Sequence, residues 1–446
     1  MRYHGLTVTG QFDPLPLVTR LVSASLFDPY VVYEQDGTWS FAGGALGDVR
    51  LERGKVIRRW GDDVHVTAWS PRPLDDVRHA LAQAPLIRWK AYGWLAFEYA
   101  YLRAGLTGAE DQALLRLILP HTEVRLSACQ LAIRSVSRTT AEQVRDLLDA
   151  AEQAPSCRAC PVDVHTGDAQ SYQTLVGHAV QEIRDGGLQK VILSRRVPVG
   201  FPVDLARTYL LGRSANNPAR SFIVHTPGLR AVGFSPETVL ETTAAGRIST
   251  NPLAGTRALH GTAQDADLRA ALMSDPKEIY EHAISVKLAF DEFTSLCMPG
   301  SVVVDELMAI KNRGSVQHIS SRITGLLPAH RGCWDALDAV FPAVTASGIP
   351  KARAYECITR LESQPRCLYA GAVIAVHSDG SLDAAVALRA LFEKDGKTWL
   401  QAGAGIVAAS DPAREYAETC EKLRSIAPYI VARGNDHEPA DLPVRV

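Results

Sequence analysis

The sequence predicts an α/β (α+β) fold, and three observations predict it. Hydrophobic residues make up 46% of the 446 positions and charged residues 22%, enough material for a large core. Helical periodicity alternates with short β-rich runs along the chain. No tandem repeat is visible, which disfavours a solenoid.

The elements follow in chain order. Residues 31–33 and 94–97 read as strands, and the apolar spacing of 140–152 reads as a helix. The Pro-containing stretch 154–161 has linker composition and divides a region 1–161 from a region 162–433. A helix over 171–185 ends at Gly186-Gly187, and a strand follows over 190–193. Further strands are expected at 231–237, 301–304, 370–376, 384–388 and 399–402. A polar tail occupies 434–446.

Composition also excludes several functions. The net charge is −2, from 47 basic and 49 acidic residues, with no basic stripe, so nucleic acid is not expected as a partner. No uncharged apolar run approaches the roughly 18 residues of a membrane helix. No signal-peptide layout opens the chain, and the 8 scattered cysteines read as reduced thiols, so the expected location is cytoplasmic. Cys157 and Cys160 form C-x-x-C between Pro155 and Pro161, with no second ligand pair to suggest zinc.

The most informative feature is an echo. Ser274-Asp275-Pro276 precedes Glu278 and Glu281, and Ser410-Asp411-Pro412 precedes Glu415 and Glu418. Asp suits the N-cap and Pro the first helical position, so each motif starts a helix. At about 100° per residue, glutamates three apart share a face. Ser285 joins the first acidic face and Lys422 the second, while Ile279, Ala283, Val286 and Tyr416, Cys420, Leu423 supply the expected apolar stripes. A single acidic pair is ordinarily a solvated face; two matching pairs behind matching caps favour a site. Four converging carboxylates need a cation, and an all-oxygen set favours Mg²⁺ over zinc.

Other signals are weaker alone. Glu278 to His282 resembles the H-x-x-E-H zinc-protease pattern, but Glu occupies the first position. Gly403-Ala-Gly405-Ile-Val-Ala408 fits a dinucleotide fingerprint, yet only about 40 residues follow it, too few for the required βαβαβ half. Those glycines instead suggest backbone N–H groups approaching an anion at a helix N-terminus. Arg389 ends an apolar run, as a solvated strand end or a carboxylate clamp, and Lys190 opens one, as a solvated lysine or a buried base.

Several stretches then resemble one family. They are Lys190-Val-Ile-Leu-Ser-Arg195, Gly233-Phe-Ser-Pro-Glu237, Pro252-Leu-Ala-Gly-Thr-Arg257, Lys277-Glu-Ile-Tyr-Glu-His282, Gly314-Ser-Val-Gln-His318, Phe341-Pro-Ala-Val-Thr-Ala-Ser-Gly-Ile-Pro350 and Gly403-Ala-Gly405. In this order they resemble the chorismate-utilising enzymes, which include anthranilate, aminodeoxychorismate, isochorismate and salicylate synthases. The pattern is nearest that of the single-chain salicylate synthases of siderophore biosynthesis, and the likeness extends to Tyr92-Gly-Trp-Leu-Ala-Phe-Glu98.

The resemblance implies a single large unit of two packed, mostly antiparallel sheets surrounded by helices, like anthranilate synthase component I. It implies that Lys190 activates water for attack at C2 of chorismate while Glu237 protonates the departing C4 hydroxyl, and that pyruvate is then expelled to leave salicylate. It implies Mg²⁺ held by Glu278, Glu281, Glu415 and Glu418. Arg389, Tyr369, Gly403 and Gly405 would hold the enolpyruvyl carboxylate, and Gly255, Thr256, His318, Thr345 and Lys422 would line the rest. Ala254 stands where aminodeoxychorismate synthases carry a lysine, and Lys190 favours water over ammonia, so no glutaminase partner is expected and the chain is read as a monomer. Thr345 favours pyruvate elimination over an enzyme that stops at isochorismate.

Overall fold

The computed structural model describes residues 1–106, 113–150, 157–167 and 169–434. Among them are 21 strands and eleven α-helices. Two long strands organise the rest. Thr38–Glu52 and Leu115–Leu126 pair antiparallel, with a register shift between Ala45 and Gly47 where the ribbon bends. From residues 38–43 one arm continues through Tyr30–Gln35, Arg220–Thr226, Leu229–Ser235, Ala390–Lys394, Lys397–Ile406 and Lys190–Val199. From residues 115–118 a second arm continues through Lys90–Leu95, Ala372–His377, Leu382–Val386, Thr238–Thr242, Arg247–Thr250 and Val316–Leu326. Leu253–Ala258 and Val303–Arg313 complete it on the last of these. The pairings are antiparallel throughout both arms, as expected.

Side-chain alternation explains why the arms stack. Val31 and Tyr33 join Phe222, Val224, Leu95 and Ile374 in a core that draws on both arms. Their neighbours Val32, Ile223, Val232 and Leu391 face the other way, into a second core with Leu21 and Tyr209 from helices Pro14–Ser23 and Leu205–Ala215. A period of two thus gives each strand of this arm two buried faces. Each fully buried Val, Leu or Ile contributes roughly 1.5–3 kcal/mol.

Most expected elements lie where their patterns put them, with shifted ends. The strand around 94–97 stops at Leu95. The helix expected at 140–152 is Arg138–Asp149, started by Ser137, whose hydroxyl accepts from Thr140 N at 3.2 Å; Ala151 and Glu152 lie outside the described residues. The helix expected at 171–185 is Ala169–Arg184. The strands at 190–193 and 399–402 extend to Lys190–Val199 and Lys397–Ile406. That at 301–304 belongs to Val303–Arg313, whose half-exposed position lets charged residues hide the pattern. Of the linker, residues 154–156 lie outside the described residues, as do 435–446 of the tail. The remainder of the linker is fastened: Cys160 N donates to Ile430 O at 2.6 Å and Val162 N to Ala427 O at 3.0 Å. Among the described residues no helix is long and apolar enough to cross a membrane.

Candidate active site

The chain passes between the two arms at two adjacent places, and each carries a predicted site residue. Leu229–Ser235 belongs to the first arm and Thr238–Thr242 to the second, so Pro236 and Glu237 form the crossing. Leu382–Val386 and Ala390–Lys394 are related the same way, leaving Arg389 at the return, with φ of 51°. The crossings are stitched together by Val386 N donating to Glu237 O (3.2 Å) and Phe234 N to Arg389 O (3.1 Å). Glu237 and Arg389 therefore sit in the seam between sheets, both buried and lining one cleft.

Glu237 Oε1 accepts from Thr345 Oγ1 at 2.5 Å and Oε2 from Leu253 N at 2.8 Å. Burial nonetheless pushes its carboxyl up to about 7, against those bonds and the pull of Lys190 and Lys422. That is the range a general acid needs. Burial lowers Arg389 to about 10, still charged at neutral pH. Its hydrogen-bond partners are neutral: His318 Nε2 at 3.1 Å and the Lys422 carbonyl at 3.4 Å. His318, buried and facing Arg389 and Lys422, is held well below the usual imidazole range. Since Nε2 accepts from Arg389, Nδ1 carries the proton and can donate to Gly255 O at 3.2 Å. Arg389 is thus a buried cation with capacity for an anionic ligand.

The two acidic helices begin as their sequences require. Asp275 accepts from Lys277 N (2.9 Å) and Glu278 N (3.4 Å) at the start of Pro276–Leu296. Asp411 accepts from Arg414 N (2.8 Å) at the start of Pro412–Leu423. The four glutamates are buried, and all four act on the Lys277 ammonium. Burial, then repulsion from Glu418, raises both Glu278 and Glu415. Burial also opposes the Glu418 carboxylate, but Lys422 (2.6 Å) and Lys277 outweigh it and hold it low. The Lys277 ammonium stands amid the cluster, 3.0 Å from Glu415, 3.4 Å from Glu278 and 3.6 Å from Glu281. Burial disfavours that charge, yet Glu281, Glu418 and Glu415 raise its pKa.

The cluster fits a hard cation on the chemistry of its donors. All are carboxylate oxygens, and both oxygens of Glu415 are buried without a well-formed hydrogen bond. Among the described residues no three acidic, histidine or cysteine side chains are already gathered into a metal cage. Here Lys277 supplies the central positive charge.

Lys190 is fully buried, with Nζ 2.9 Å from Glu281 Oε1 and 3.0 Å from Ser285 Oγ. Glycines make the room. A Cβ on Gly405 would stand 2.0 Å from Glu281 Oε1 and 3.1 Å from Lys190 Cε, and one on Gly403 2.9 Å from the Tyr369 hydroxyl. Gly403 and Gly405 lie inside strand Lys397–Ile406, opposite Ser194 and Ile192, not at a helix N-terminus as expected. Their purpose is close side-chain approach across a sheet. Gly255 (φ 81°) lets Thr256 N meet Glu278 Oε2 at 3.2 Å.

Of the predicted residues, Glu237, Gly255, Thr256, His318, Thr345, Tyr369, Arg389, Gly403, Gly405, Lys422, Glu281 and Glu418 line the cleft. Lys190 and Glu278 adjoin that lining, paired with Glu281 and Thr256, and Glu415 pairs with Lys277. One expected feature is corrected: Ala283 is exposed and Ile279 only partly buried, so the core face of the first acidic helix is the acidic face itself. On that face Ser285 pairs with Lys190 and His282 Nε2 with Ser321 Oγ at 2.8 Å, which offsets part of the cost of burial. Lys277 and Arg257, which bonds Asp275 (2.6 Å) and Glu278 (3.0 Å), belong to the family-like motifs but carry no expected role. Lys277 lies four residues before Glu281, a spacing that signals an ion pair.

A family model for chorismate binding enzymes matches residues 29–428. The chain is 43% identical over 431 residues to the salicylate synthase of Mycolicibacterium paratuberculosis, covering 94% of each. It is 40% identical over 259 residues to anthranilate synthase component 1 of Streptomyces coelicolor, covering 56% of this chain and about half (49%) of that relative. The fold is similar to that of the menaquinone-specific isochorismate synthase of Escherichia coli, with TM-score 0.71, 22% identity, and 95% and 94% of the two chains covered.

Proposed function

The chain belongs to the chorismate-binding enzymes, and on that premise we propose that it is a salicylate synthase that first converts chorismate to isochorismate and then eliminates pyruvate. The observation that carries this reading is the 43% identity to a salicylate synthase across 94% of both chains.

In the first step Lys190 takes a proton from water as its oxygen attacks C2, and Glu281 and Ser285 hold the resulting ammonium. Glu237, kept partly protonated at neutral pH by burial, gives its proton to the leaving C4 hydroxyl. In the second, the C–O bond to the enolpyruvyl group breaks as hydrogen moves from the ring to its terminal carbon, releasing pyruvate and leaving salicylate. Arg389 and Tyr369 hold the enolpyruvyl carboxylate at one end of the cleft, where His318 fixes Arg389. Glu278, Glu281, Glu415 and Glu418 would hold Mg²⁺, which supplies positive charge for the ring carboxylate. Residues 162–433 carry these groups, and 1–161 packs on them by shared strands such as Tyr30–Gln35 with Arg220–Thr226. With water as nucleophile, the reaction requires no ammonia-delivering partner.

Incubating the protein with chorismate, with and without Mg²⁺, tests the reading. Salicylate fluorescence with stoichiometric pyruvate is expected only with the metal. Isochorismate accumulating without pyruvate would make the chain an isochorismate synthase, and anthranilate formed on adding ammonium would remove water as the nucleophile.

A further inference from the structure

Tyr369 reaches the cleft from a backbone segment held in an unusual shape. Cys367 and Ala370, on either side of it, have φ of 55° and 61°. Such conformations cost a non-glycine residue on the order of 1–3 kcal/mol and persist only where surrounding contacts over-determine them.

Those contacts come from a motif that the proposed chemistry leaves unused. Glu98 Oε1 accepts from Cys367 N at 3.0 Å, and Phe97 N donates to Cys367 O at 2.8 Å. The Phe97 ring lies 4.5 Å from the guanidinium carbon of Arg366. Gly371 presses on the same floor: a Cβ there would stand 2.3 Å from Leu95 O and 3.1 Å from Phe97 N. Arg366, fully buried, anchors the front of the segment by donating to Ala346 O (2.9 Å) and Ile192 O (2.6 Å). Glu98 is 1% exposed, an expensive place for a carboxylate unless its hydrogen bond is needed.

We infer that Glu98, together with Phe97, is a positioning residue for Tyr369: the pair clamps residues 366–371 so that the tyrosine hydroxyl stands over Gly403. The inference rests on the reading that Tyr369 binds a substrate carboxylate. Glu98 acts on substrate only through that side chain, so removing either residue should have the same consequence, and removing both should add nothing.

The test is a double-mutant cycle on the full chain with Tyr369→Phe, Glu98→Ala and the combination, alongside Glu98→Gln. KM for chorismate should rise about tenfold in each single variant and again only about tenfold in the double, with kcat changed less than about threefold. Glu98→Gln keeps an acceptor oxygen for Cys367 N and should keep a near-normal KM. If Glu98→Ala does not fold by circular dichroism, Phe97→Leu replaces it in the cycle, since it removes the ring but keeps the backbone pair. A roughly hundredfold rise in the double variant overturns the inference. So does a normal KM in Glu98→Ala while Tyr369→Phe is impaired. An unimpaired Tyr369→Phe overturns the reading of Tyr369 itself, and the inference with it.

Discussion

Replacing Glu237 with glutamine should make the enzyme slower and, at alkaline pH, more stable. The carboxyl is fully buried and stands at about 7 where an ordinary glutamate has 4.5, with burial as the leading cause. About half of it is protonated at pH 7 and about a tenth at pH 8, so any step that takes its proton slows about tenfold per pH unit above neutrality. Glu237→Gln keeps an oxygen for Leu253 N and loses the proton, which should lower turnover by about 10²–10⁴. Stability moves the other way. Because the folded pKa is raised, the folded state binds the proton more tightly than the unfolded one. The stability this contributes is complete below about pH 4.5 and lost as pH rises through about 7. The wild type then carries a penalty on the order of 3 kcal/mol at pH 8 that glutamine does not. Urea unfolding at pH 5 and pH 8 reads this directly, beside initial rates of chorismate consumption. A stability difference equal at both pH values, or a wild-type kcat/KM flat from about pH 6.5 to 9, would refute the assignment of Glu237 as a buried acid.

Lys190→Ala should abolish chorismate consumption while circular dichroism stays unchanged; retained turnover removes Lys190 as the base. Gly405→Ala drives a Cβ to 2.0 Å from Glu281 Oε1, so activity should fall at least about tenfold and stability by about 1–3 kcal/mol, checked by rate and urea midpoint. Glu415→Gln removes one charge from the acidic cluster, so Mg²⁺ affinity by calorimetry should fall at least about tenfold while the metal-free protein gains stability from relieved repulsion. Unchanged affinity would place the metal elsewhere.

Local signals in the sequence were legible and long-range ones were not. The two Ser-Asp-Pro starts are N-caps in the structure because an Asp side chain and its own helix need no distant partner. The same locality made the Glu278 and Glu281 face readable. That this face is buried was not readable, since it depends on Lys190, ninety-five positions away, meeting Ser285. Strand ends were misjudged at 384–388 and 231–237 for a related reason. Arg389 and Glu237 sit just beyond strands that stop to change sheets, and only the pairing partners define that stop. The family resemblance supplies Lys190, Glu237 and Arg389 as a set, while the pattern around Arg389 alone is open between a solvated strand end and a carboxylate clamp.

The charges in and around the cleft are divided, with a cation at one end and an acidic cluster at the other. At one end Arg389 is a buried cation whose hydrogen-bond partners, His318 and a carbonyl, are neutral. Its positive charge is therefore available, and a carboxylate can meet it without a bridging ion. At the other end four buried carboxylates face Lys277, with Lys190, Lys422 and Arg257 at the edges. A carboxylate approaching that end would meet Glu278 and Glu415, whose ionisation is already opposed by burial and then by the Glu418 charge. On the proposed function, a ligand with carboxylates at both ends would be held directly at one and through a cation at the other. Loss of the cation should then weaken substrate binding far more than loss of any one neutral contact. This asymmetry also separates the two halves of the machinery in an experiment: Arg389→Lys should raise the KM for chorismate at every Mg²⁺ concentration, whereas in Glu415→Gln excess Mg²⁺ should restore it.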